Sequence, residues 1–185
     1  MAMFIIVAPS GSGKTSIMNY IQREITGMDY IGECISHTTR QPRDGEVNGE
    51  TYYFSKKEEF EFMEFEEMFV ESVEYGGNKY GMSKEEINKR LRMHKHIYII
   101  AEFHGYQQLK ELYPQAVGIF LHMSKEDCMA NMLLRGDSID KATLRINTYE
   151  DEIKNKKEFD YVVKNVRNRM YATANVILNI IKQYE

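Results

Sequence analysis

The chain has 185 residues, enough for one α/β core with an insertion or two. Apolar residues make up 43% and charged residues 28%, ordinary for a soluble domain, and a net charge of −4 argues against broad binding to nucleic acid or a membrane surface. No apolar stretch approaches a membrane span and no signal-peptide pattern opens the chain, so a cytoplasmic protein is expected; Cys34 and Cys128 lack metal-ligand spacing and read as buried free thiols.

The apolar run Met3–Val7 reads as a buried strand. Directly after it stand Ala8-Pro9-Ser10-Gly11-Ser12-Gly13-Lys14-Thr15. This is the phosphate-binding pattern G-x-x-x-x-G-K-[ST], with Ala8 in place of the first glycine. Alanine is tolerated there as long as φ stays negative. Gly11 and Gly13 let the loop from Ser10 through Ser12 curl so that backbone N–H groups cradle a phosphate. A helix opening at Lys14-Thr15 points its positive end at the same anion. Lys14 would reach the β- and γ-phosphates, and the Thr15 hydroxyl would hold Mg²⁺. The expected ligand is therefore a nucleoside triphosphate with magnesium. Ile17, Ile21 and Ile25 fall on one face of the helix.

The stretch from Cys34 to Met82 has turn residues, an aromatic patch at Tyr52-Tyr53-Phe54 and a loosely alternating strand at Phe69–Tyr75. It reads as a small β-rich insertion containing a short helix, with Phe60, Met63 and Met68 facing inward. Ser83 is a candidate helix cap with Glu86 as its box partner. Buried strands are expected at Ile97–Ala101, ending on Glu102, and at Val117–Met123, after which Ser124 caps a helix. Arg135–Ser138 interrupts that helix with a polar turn. One long polar helix is expected over 141–156, a short strand at Tyr161–Val163, and a last helix burying Val176, Ile177, Ile180 and Ile181. Alternation of strand and helix predicts an α/β fold with a parallel sheet and helices on both faces, ligands binding beyond the strands' carboxyl ends. No histidine pair has metal-site spacing.

The block Ser36-His37-Thr38-Thr39-Arg40-Gln41-Pro42-Arg43, with Gly45-Glu46-Val47-Asn48-Gly49 and Tyr52-x-Phe54, resembles the guanylate kinase family. The likeness continues through Phe69-Val70-Glu71, Tyr80-Gly81, Gln107-Gln108, Arg135-Gly136, Arg145, Glu152 and Asp160–Asn165. The resemblance implies a core (1–33, 83–123, 150–185), a monophosphate-binding insertion (34–82) and a lid (124–149). It implies transfer of the γ-phosphate of ATP to GMP, and to dGMP, by a monomer or homodimer. Arg40, Arg43, Tyr52 and Tyr80 would hold the acceptor phosphate. Ser36 and Glu71 would face its base, and Asn165 would help bind the donor. Arginine forks match phosphate oxygens. A carboxylate at Glu71 can accept from guanine N1–H and the 2-amino group, donors that adenine lacks at those positions.

Three positions depart from the family pattern. Met82 replaces a hydroxyl residue and cannot donate a hydrogen bond. Glu102 replaces an aspartate at a strand end, keeping a charge that would act on Mg²⁺ and the substrate phosphate from one methylene further out. Asn131 replaces a lid arginine, leaving Lys14, Arg40, Arg135 and Arg145 as the catalytic cations. Alternatives are a kinase of this fold with another monophosphate acceptor and a non-enzymatic binding module.

Overall fold

Every residue of β1 (Met3–Val7) is buried, and its side chains alternate between two apolar layers. Phe4 and Ile6 pack with Ile17, Met18 and Ile21 on one face. Met3, Ile5 and Val7 pack with Ile97, Ile99 and Phe120 on the other. A strand buried on both faces requires helices on both sides.

The computed structural model describes residues 1–26 and 29–185. Its elements run β1, α1 (Lys14–Tyr20) continuing into a π-helical turn (Ile21–Thr26), β2 (Ile31–Cys34), β3 (His37–Thr38), β4 (Tyr53–Phe54), α2 (Lys57–Phe65), β5 (Phe69–Tyr75), β6 (Asn78–Ser83) and α3 (Lys84–Met93). They continue with β7 (His96–Ile100), α4 (Phe103–Leu112), β8 (Val117–His122), α5 (Lys125–Leu134), α6 (Ile139–Ile146), α7 (Tyr149–Lys154), a 3₁₀ turn (Asn155–Glu158), β9 (Tyr161–Lys164) and α8 (Met170–Lys182). A five-stranded parallel sheet has the order β2-β7-β1-β8-β9. The insertion forms a second, mixed sheet of order β4-β3-β6-β5. Gln108 of α4 grips β5 by its backbone, accepting from Ser72 N–H (3.1 Å) and donating to the Ser72 carbonyl (3.3 Å). Among the described residues, no helix is long and apolar enough to cross a membrane. Cys34 and Cys128 are free and buried.

The stretch expected as one helix over 141–156 is split into α6, α7 and the 3₁₀ turn. Asn147 and Thr148 are weak helix formers, and the Thr148 hydroxyl donates back to the Arg145 carbonyl (3.0 Å). Val176 is 49% exposed rather than buried. Helix α8 buries Thr173, Ala174, Ile177, Leu178, Ile180 and Ile181, a helical face from which Val176 points away. Phe60 is buried as expected, but Met63 is only partly covered and Met68 is exposed, because the chain leaves α2 through a left-handed turn at Glu67 (φ 50°). Ser83 caps α3, accepting from Glu86 N–H (3.2 Å). Glu86 does not complete a capping box. Its carboxylate instead accepts from Ile35 N–H (3.1 Å), the Tyr53 hydroxyl (3.1 Å) and Arg90 Nε (2.6 Å). Ala101 and Met123 fall just beyond their strands. The Ile25 side chain lies outside the described residues.

Candidate active site

The loop between β1 and α1 curls because Gly11 (φ 84°) and Gly13 (φ 87°) take left-handed conformations. Gly13 is the residue from which α1 starts. At Gly11 a side chain would run into the Cys128 carbonyl of α5. Ala8 is buried without a positive φ, so the missing glycine costs the loop nothing. The loop is also held from outside. Asn165 Nδ2 donates to the Ser12 carbonyl (2.8 Å), while its Oδ1 accepts from the Thr173 hydroxyl (2.8 Å). The Asn165 side chain is thus committed to shaping the loop. Lys14 folds its ammonium back onto the carbonyls of Ala8 and Pro9, at the mouth of the curl.

Across the cleft, Arg40 pairs with Glu46 (2.8 Å), and its guanidinium lies 5.3 Å from the centre of the Tyr52 ring. The Tyr52 hydroxyl is pushed up to about 12, by burial and then by Tyr80. Arg43 has no carboxylate partner for its guanidinium among the described residues. Burial, then the charges of Arg40, Arg145 and Arg135, press its pKa below the ordinary arginine value. Four guanidiniums therefore share one region, and an anion there would relieve their repulsion. Asp137 organises the arginines that follow α5, paired with Arg135 and 4.0 Å from Arg145. Burial opposes ionisation of Asp137, but the Arg135 hydrogen bond and the charges of Arg135, Arg145 and Arg43 outweigh it and hold its carboxyl low. Glu71 is 5% exposed, with Oε2 unpartnered. Burial, and secondarily Glu102, push it up to about 8.

These groups line one cavity of about 600 Å³ at the carboxyl ends of β1 and β7. Ser10, Gly11, Ser12, Gly13, Lys14, Thr15 and Asn165 form one end. Ser36, Arg40, Arg43, Tyr52, Glu71 and Tyr80 form the other, and Glu102, Arg135 and Arg145 also reach it. Every residue that the sequence marks as a site candidate is on this wall. Met82 is not: it is fully buried in the core beside Val7 and Ile99. Ser83 is occupied as the α3 cap. Sequence reasoning missed Glu46 and Asp137, the acids that orient the arginines. It also missed Tyr75, whose hydroxyl lies 3.5 Å from Ser10 Oγ and 3.4 Å from Glu152 Oε1. Asn168, with φ 62°, also lines the donor end; an asparagine shortly after a strand is the one hint it offered.

Thr15 and Glu102 offer hard oxygen donors that suit magnesium. Among the described residues, no group of three His, Cys, Asp or Glu gathers to hold a metal unaided. Such a donor set fits an ion held jointly with nucleotide phosphates.

A phosphate-cradling loop facing an arginine-lined pocket on a parallel α/β sheet defines a P-loop nucleoside monophosphate kinase. The guanylate kinase family model matches residues 1–183. The guanylate kinase of Shewanella violacea is 36% identical over 165 residues, which span 88% of this chain and 79% of that protein. The guanylate kinase of Francisella tularensis subsp. holarctica is 35% identical over 166 residues, 88% of this chain and 87% of that one. In fold, the chain matches the crystal structure of guanylate kinase from Anaplasma phagocytophilum with a TM-score of 0.76, covering 99% of this chain and 85% of the other at 23% identity. The chain belongs to the guanylate kinase family.

Proposed function

We propose that the chain transfers the γ-phosphate of ATP to GMP, yielding ADP and GDP, and that dGMP is also accepted. The observation that carries this proposal is the single cavity with a triphosphate loop at one end and Arg40, Arg43, Tyr52, Tyr80 and Glu71 at the other. The loop amides and Lys14 would bind the donor phosphates. Arg40 and Arg43, with the two tyrosine hydroxyls, would hold the acceptor phosphate and offset repulsion between the two anions. Glu71, with Ser36, would read the guanine edge. These contacts go to phosphate and base, which leaves room for the deoxy sugar. An acceptor oxygen would attack the γ-phosphorus in line, and Lys14, Arg135 and Arg145 would stabilise the charge on the transferring group. Thr15 and Glu102 would hold Mg²⁺, which when bound neutralises phosphate charge. Closure of the insertion (34–82), and of the part of the lid (124–149) that follows α5, on the core would exclude water, so that ATP is not merely hydrolysed.

Lys14→Ala tests the donor half. Turnover should fall by two orders of magnitude or more, as on removal of a charge-stabilising donor (about 10²–10³-fold), with the melting temperature little changed. Retention of most of the kinase activity would contradict the mechanism. Arg43→Ala should raise the KM for GMP about tenfold or more, since a hydrogen bond to a charged group contributes about 1.5–3 kcal/mol. The KM for ATP should stay nearly constant. Steady-state kinetics with each nucleotide varied in turn separates the two effects.

A further inference from the structure

Two amide side chains hold consecutive carbonyls of the donor loop. Asn165 takes that of Ser12 (2.8 Å), and Asn131 Nδ2 donates to that of Gly11 (2.9 Å). Asn131 Nδ2 also lies 3.3 Å from Met123 Sδ, so both of its N–H donors can be used. On the far side of the same peptide, Ser12 N–H donates to the Pro9 carbonyl (3.2 Å). A peptide unit is planar, so holding it at both its carbonyl and its N–H fixes its orientation. Helix α5 also touches the loop directly, with the Cys128 carbonyl so close to Gly11 that only glycine fits. Arg135 stands four residues after Asn131, at the end of α5, on the same side of the helix. Both face the cavity.

We infer that Asn131 is a positioning residue for phosphoryl transfer. Its amide pins α5 to the donor loop, which sets the loop's curvature and the place of Arg135 against the donor phosphates. The inference rests on reading the loop as the ATP site.

The test measures ADP and GMP binding separately by calorimetry, together with steady-state kinetics, for wild type, Asn131→Ala and Asn131→Asp. Aspartate keeps the size but, when ionised, has no donor and sets an oxygen against the Gly11 carbonyl. Loss of one hydrogen bond predicts ADP binding about three- to tenfold weaker in Asn131→Ala. Asn131→Asp should be weaker still. The KM for ATP should rise and kcat fall in both, while GMP affinity stays within about twofold, as one perturbed peptide at the donor end predicts. ADP affinity unchanged in both variants, or an equal loss for ADP and GMP, would overturn the inference. A wild-type protein that binds no ADP would instead overturn the donor-site reading itself.

Discussion

Glu71 is buried beside Glu102 with one oxygen unpartnered, and burial is the larger of the two causes that push its pKa from 4.5 to about 8. The native state therefore holds a proton there that the unfolded chain has already lost. The corresponding stability is fully present below about pH 4.5 and is lost as pH rises through about 8. Glu71→Gln should raise the melting temperature at pH 8 and change it little at pH 4. Thermal melts at the two pH values check this. Guanine would bind the ionised carboxylate, so GMP affinity should rise from pH 7 to pH 8 in the wild type and be flat in Glu71→Gln. At this scale the charged site residues were legible, because Arg40, Arg43 and Lys14 sit in dense local motifs. Their partners were not. Glu46 and Asp137 resemble any acid in a turn until the fold brings them against an arginine. In the sequence Asn131 reads as a missing cation, because the Gly11 carbonyl it binds lies 120 residues away and only the fold brings the two together.

At the level of elements, the central strands were readable because burial on both faces demands unbroken apolar runs, as in β1, β7 and β8. Strands β3 and β4 have two residues each and exist through pairing with distant partners, which local pattern cannot convey. The break between α6 and α7 was hidden because Asn147 and Thr148 disfavour a helix only mildly. Glu86 shows how elements are tied together. It joins α3 to the Ile35 backbone and to Tyr53 of β4, at the root of the insertion, and is itself 3% exposed. Breaking a buried charged network costs about 3–5 kcal/mol, so Glu86→Ala should lower stability by about that much. Its KM for GMP should rise more than its KM for ATP, because the insertion's root moves relative to the core. Urea unfolding and two-substrate kinetics measure both effects. A variant as stable as wild type would refute this role.

Over the whole molecule, a net charge of −4 coexists with a cavity bearing Lys14 and five arginines, Arg40, Arg43, Arg135, Arg145 and Arg167. Net charge argues only against broad polyanion binding and cannot locate this concentrated positive site. Two phosphate-binding ends in one cavity imply two bound nucleotides and transfer between them, rather than a switch or a simple hydrolase. The most direct test of that claim is ADP production from ATP with a panel of monophosphates, comparing GMP, dGMP, AMP, CMP and UMP by kcat/KM. GMP should be the best acceptor. AMP should fall behind by about 10⁴-fold, the discrimination available to a site built to pair with polar groups that the competitor lacks. An equal or higher kcat/KM for AMP or a pyrimidine monophosphate, or ADP release that ignores every acceptor, would contradict it.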